Sequence, residues 1–145
     1  MAIVVTNEGA STLIQWALQL ATPTTPIVHL LGSPHALAHD DTQGTLAAAE
    51  LVVSGYSPLP LSDPALNWTL AVYPDGYQAT YTALNWQFFA ACTVYGYWLS
   101  SGDLRWSLWG ETLAEPVVIP GGGGPWTLIP YFYLASQPFT QGECG

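Results

Sequence analysis

Chemistry in this chain would have to come from a few side chains. His35 and His39, followed by Asp40 and Asp41, spell HxxxHDD. On a helix, histidines four apart share a face and can hold a divalent metal. That makes His35, His39 and Asp40 the metal candidates. Pro34 before them and Asp-Asp-Thr after them favour a solvated loop, and no third distant ligand stands out, so neither metal nor cofactor is expected. Gly121 to Gly124 could suggest a phosphate cradle. Such a cradle needs a helix N-terminus after the glycines, and usually a lysine. Pro125 and a β-prone run follow instead, and the glycines read as a linking loop. There is no GxSxG elbow, and all three histidines lie in the first 39 residues. A pairing of Cys92 with a histidine would need a fold that the sequence does not display. The ten acids could supply a glycosidase pair, but nothing in their spacing selects two. No enzymatic activity is expected.

The seven tryptophans carry more information: Trp16, Trp68, Trp86, Trp98, Trp106, Trp109 and Trp126. Trp106 and Trp109 differ by three positions, so in a regular strand they point to opposite faces. Most tryptophans belong to a core. The remainder suit interfaces, where a large apolar body carries one polar tip. The interaction candidates are Trp98, Trp106, Trp109 and Trp126, with Gly121, Gly122, Gly123 and Gly124.

Composition narrows the partners. The chain has 145 residues, ten Asp and Glu, one Arg and no Lys, for a net charge of −9. Only 8% of residues are charged, against about 25% in an average soluble domain. Nucleic-acid binding needs many cations to displace counterions, and Arg105 cannot supply that alone. Anionic membranes are disfavoured for the same reason. The best apolar stretch, Phe88 to Leu99, contains Cys92, Thr93 and Gly96, and falls short of the roughly 20 residues of a spanning helix. No basic region opens the chain as in a secretory signal. Cys92 and Cys144 do not make a disulfide framework, and both read as reduced.

These residues must be positioned by a single domain. A strand-like IVVT run comes first. Thr6 or Asn7 can then cap an amphipathic helix over about residues 10–20, with Leu13, Ala17 and Leu20 on one face and Ile14, Leu18 and Ala21 beside it. Thr22-Pro23 ends it. Residues 27–31 form a strand candidate, residues 35–44 a loop, and residues 45–54 are ambiguous between helix and strand. Pro58 and Pro60 mark an edge. Strand candidates then follow at 66–72, 78–91, 93–100, 104–111, 117–119 and 126–135. Tyr73-Pro74-Asp75-Gly76 and Ser101-Gly102-Asp103 read as turns. The fold class is mainly β: an antiparallel β-sandwich of about seven or eight strands over residues 27–136. The N-terminal helix precedes it and a polar tail, 137–145, follows.

The string TVYGYWLSSGDLRWSLWGETLAEPVVIPGGGGPWTLIPYFYLAS resembles a C-terminal signature of small structural proteins of tailed bacteriophages. Its elements here are Tyr95-Gly96-Tyr97, the turn at Ser101-Gly102-Asp103, Leu104 to Trp109 with Glu111, Pro116 to Pro120, Gly121 to Gly124, and Trp126 to Ser136. The N-terminal half follows a similar order. The chain departs from the pattern in having almost no basic residues. The resemblance implies a virion component without catalytic activity.

The leading expectation is therefore a capsid cement or decoration protein, made in the host cytoplasm and resident in the virion. It would stabilise seams between major capsid protein subunits, as a homo-oligomer such as a trimer. Alternatives are a tail, neck or fibre-associated structural protein, a carbohydrate- or receptor-binding module on a fibre, and a small hydrolase gathering His35, His39 and the acids in a cleft.

Overall fold

The computed structural model describes residues 3–135. Cys144, the expected tail over 137–145 and the last residue of the expected sandwich, Ser136, lie outside the described residues. In chain order the elements are β1 (Val4–Val5), α1 (Asn7–Ala17), β2 (Ile27–Leu31), α2 (Gln43–Ala47), β3 (Leu59–Pro60), α3 (Pro64–Asn67), β4 (Trp68–Tyr73), β5 (Gly76–Tyr81), β6 (Leu84–Phe88), β7 (Cys92–Ser100), β8 (Ser107–Ile119), β9 (Gly124–Leu128) and β10 (Tyr131–Ala135). They form a five-stranded sheet in the order β1-β8-β7-β2-β3, a three-stranded sheet β10-β5-β4, and the pair β6-β9. All of these pairings are antiparallel. The chain is mainly β and sandwich-like, with a short N-terminal helix, as the turn spacing and alternation indicate.

The helix lies three residues earlier than expected at each end. Thr6 caps it, its Oγ1 accepting from the Gly9 N–H at 2.9 Å, with Glu8 in the first turn. Gln19 then takes a left-handed φ of 58°, and the Leu20 N–H returns to the Gln15 carbonyl. The buried face also differs from the expected one. Ile14, Leu18 and Leu20 are exposed, while Gly9 and Thr12 are buried and Leu13 and Trp16 pack on the core. Gly9 explains this. A Cβ there would sit 1.8 Å from the Leu108 carbonyl oxygen, so the helix backbone rests directly on β8 along its glycine.

Two strands expected to be continuous are broken. Residues 78–91 divide into β5 and β6, and residues 126–135 divide into β9 and β10. Both breaks fall at the same level, where the Tyr81 N–H donates to the Pro130 carbonyl at 2.9 Å. Pro130 has no N–H to continue a ladder. Each strand of this pair therefore leaves the β6-β9 ribbon and enters the β10-β5-β4 sheet together with its neighbour.

The converse holds in β8, where 107–119 forms one strand. Opposite β7, the register moves from Val94↔Val117 to Gly96↔Thr112. The extra residues on β8 bulge out around Pro116, which is the usual accommodation of proline within a strand. The β7–β8 connection is also longer than the tight turn expected: Ser101 N–H bonds to the Trp106 carbonyl at 2.8 Å, closing a loop over residues 101–106.

Alternation in β2 and β7 gives the large sheet two covered faces. Val28, Leu30, Tyr97 and Leu99 face the main core, with Trp86, Phe88, Leu108 and Trp109. Leu31 and Trp98 face the other way, under Leu46 of α2. The ambiguous stretch after residue 45 thus resolves into the end of a short helix and a coil.

Candidate functional site

The metal candidates do not converge. Residues 35–41 form a loop, as expected, and its one internal ion pair joins His35 Nε2 to Asp41 at 3.0 Å. Asp41 Oδ2 also accepts from the Ala38 N–H at 2.8 Å, so this carboxylate shapes the loop. His39 and Asp40 are exposed. Among the described residues no group of three His, Cys, Asp or Glu side chains could hold a metal ion. The hollow over His35 is lined by Tyr95, Thr112, Leu113 and neighbouring loop residues. Among the described residues, neither His39 nor an acid lines this hollow.

The aromatic candidates separate sharply. Trp98 is fully buried, with its Nε1–H donating to Gln43 Oε1 at 3.0 Å. Trp109 is buried against Phe132, with ring centroids 4.7 Å apart. Neither can meet a partner, because each faces one of the two cores. Trp126 is half-buried and stacks on Trp86 across the β6-β9 pair. Trp106 is exposed, and it lies in the loop just before β8, so the strand alternation expected to oppose it to Trp109 does not apply. Of the glycines, Gly121 and Gly122 are exposed, while Gly123 packs closely on the Phe88 carbonyl at a φ of 85°.

The loop over 101–106 fixes Trp106 in place. Ser101 Oγ accepts from the Trp106 N–H at 3.1 Å and donates to Asp103 Oδ1 at 2.6 Å. That second bond holds the Asp103 carboxyl below its ordinary range. Leu104 takes a left-handed φ of 62° to turn the chain. The indole then stands beside α1 at 39% exposure. Arg105, the only cation in the sequence, lies over it, its Cζ 5.2 Å from the ring centroid. Two hollows meet at this indole. One, of about 280 Å³, is lined by Thr12, Gln15, Thr22, Asp103, Arg105 and Trp106, among others. The second, of about 350 Å³, lies between Trp106 and the α1 side chains Glu8, Ser11, Thr12 and Gln15.

A buried polar chain, not visible in the sequence, runs through the five-stranded sheet. Ser100 Oγ lies 2.8 Å from His29 Nε2, and His29 Nδ1 lies 2.8 Å from Glu50 Oε1. Tyr56 O–H donates to the same Glu50 oxygen at 2.7 Å and accepts from the Leu30 N–H at 3.0 Å. With a neutral imidazole, Nδ1–H donates to Glu50, and the single Ser100 O–H proton is shared between His29 Nε2 and the Ser101 carbonyl, 3.1 Å away. This is the order of a nucleophile, base and acid, which the sequence had seemed to exclude. Ser100 is 0% exposed and His29 3%, so no substrate reaches the hydroxyl. Burial holds the His29 pKa below its ordinary value, against the pull of Glu50. The chain is a cross-brace joining β2, β7 and the 50–56 segment. Nothing local in a single sequence links residues 71 positions apart.

A third feature is the β10-β5-β4 sheet. Leu70 and Val72 are each 73% exposed, and Leu134 is 65% exposed. Tyr73 and Tyr77 are exposed beside them. β4 is also the edge of its sheet. From Trp68 to Tyr81 the single charged residue is Asp75, in the turn.

No helix among the described residues is long and apolar enough to cross a membrane. No family model, no curated protein and no solved structure matches the chain.

Proposed function

We propose that this chain is a non-enzymatic structural protein of a virion that joins other protein subunits, foremost as capsid cement at seams between major capsid proteins. The observation that carries the joining role is the β10-β5-β4 sheet. Leu70, Val72, Tyr77 and Leu134 leave apolar surface on one face in water, and β4 is an edge strand with no further partner among the described residues and no charge on it. Monomeric soluble proteins protect such edges with lysine, proline or short strands, and contiguous exposed apolar surface marks contact sites. Covering it is worth about 25 cal/mol per Å² before the costs of association. The sparsity of charge suits this, since desolvating an unpaired charge is expensive. The virion setting comes from the sequence resemblance to small phage structural proteins. The contact surface moves accordingly, from the tryptophans Trp98 and Trp109 to β4 and its neighbours.

Sedimentation velocity of the whole chain tests the joining role, comparing it with the double variant Leu70→Lys, Val72→Lys. The chain should sediment as a closed oligomer, a trimer being the simplest for a local three-fold, and the variant as a folded monomer. A wild-type chain that stays monomeric at high concentration, indistinguishable from the variant, removes the reading.

A further inference from the structure

We propose that the groove beside Trp106 binds a neutral saccharide. It shares no residue with the β10-β5-β4 surface, and the proposal stands independently of the joining role.

The polar groups that line the groove are incompletely used within the protein. Thr12 is only 6% exposed, lines both hollows, and its hydroxyl has no hydrogen bond within the described residues. The residue is nearly buried, yet its hydroxyl still reaches the groove's solvent and so is open to a ligand. Gln15 spends its Nε2 on Ser11 at 3.0 Å, leaving its carbonyl oxygen open. Asp103 spends Oδ1 on Ser101 and on the Arg105 N–H, leaving Oδ2 open. The Arg105 guanidinium lies over the Trp106 ring and forms no ion pair among the described residues. The groove therefore presents an indole, one fork of donors and several acceptors, all within the lining of one hollow.

That mixture selects the ligand class. A nucleotide or other polyanion would face one guanidinium against a net charge of −9. A wholly apolar ligand would strand Thr12, Gln15 and Asp103 without partners, at the cost of desolvating them. A cation would meet Arg105. A sugar ring offers an apolar C–H face for the indole and hydroxyls that both donate and accept, which is the pattern that a site of few polar groups on an aromatic wall recognises. The volume, about 280 Å³ in the first hollow with a second adjoining it, accommodates one to two sugar rings.

The test is a nitrogen-15 NMR titration of the whole chain with three neutral probes: maltohexaose, cellohexaose and chitohexaose. At least one should shift the Trp106 indole N–H and the Thr12 and Arg105 amides in a saturable way. Thr12→Val should weaken that binding about tenfold, and Trp106→Ala should abolish it with the fold unchanged by circular dichroism. The Leu70→Lys, Val72→Lys variant should bind as the wild type does, whatever its state of assembly. No saturable shift with any of the three probes overturns the proposal. So do shifts confined to other regions, or binding that survives Trp106→Ala.

Discussion

His29 lies flat on Trp98, with ring centroids 4.6 Å apart and planes 12° from parallel. The two residues are directly paired across β2 and β7. The stack places an ionisable ring in the middle of a sheet, with Glu50 at one nitrogen and Ser100 at the other. A core position thus acquires a dependence on acidity.

The sign of that dependence is fixed by the depressed His29 pKa. Above the ordinary value of 6.5, the ring is neutral in both folded and unfolded chains, and its contribution is fully present. As pH falls below 6.5, the unfolded chain takes up a proton that native His29 resists. Stability then declines by at most about 1.4 kcal/mol per pH unit until the native ring titrates. Urea melts across mildly acidic pH should show this decline. In His29→Gln the slope should flatten, whatever the absolute cost of the substitution.

Alkali acts through the tyrosines. Burial raises the hydroxyl pKa of Tyr56 and Tyr97, and burial with the Glu111 hydrogen bond pushes Tyr131 up to about 12. Unfolded tyrosine ionises near 10. The contribution is therefore intact below 10 and is lost as pH rises from there through the folded values. Denaturant midpoints should fall on the alkaline side of 10, and Tyr56→Phe should fall less steeply. Ultraviolet titration should show ionisation of these rings coinciding with unfolding.

Gly9 should tolerate no side chain. A methyl group there meets the Leu108 carbonyl oxygen at 1.8 Å, and the obstacle is backbone, which cannot rotate aside. Gly9→Ala should cost about 1–3 kcal/mol or more, from overpacking and displacement of the helix, although alanine is the better helix former. Gly121→Ala, with open space around the added methyl, should remain within about 0.5 kcal/mol of the parent. Thermal melts of the pair separate contact from propensity.

The sequence shows the β class and the β4–β5 hairpin at Tyr73 to Gly76. Alternation and turn residues are local, and these features depend on little else. The helix face is only partly legible: hydrophobicity nominates Leu13, Ala17 and Leu20 with Ile14, Leu18 and Ala21 beside them, whereas docking follows the closest approach, which Gly9 permits, and of these it packs Leu13 against the core. The breaks at Thr82-Ala83 and Ile129-Pro130 arise from two strands changing sheets together, a relationship between distant segments. Trp106 was legible as one tryptophan among several. What selects it is the loop that Ser101 and Asp103 tie beneath it. The Ser100–His29–Glu50 brace combines three residues far apart in the chain, and only the register of β2 on β7 assembles it.

The first strand has a consequence for when the fold can form. β1 pairs with β8, Val4 opposite Gly110, and Thr6 Oγ1 donates to the Ser107 carbonyl at 2.9 Å. Glu8, in the next turn, accepts from the main chain of Ser107 and of Gln43. During synthesis the opening segment is made about 100 residues before the strand that receives it, and a loop of that length must close before either is satisfied. Until then residues 4–8 have no strand to join, and this part of the fold is completed only once β8 has emerged. A pause in translation ahead of residue 107 would hold the N-terminal residues exposed, in reach of chaperones and proteases.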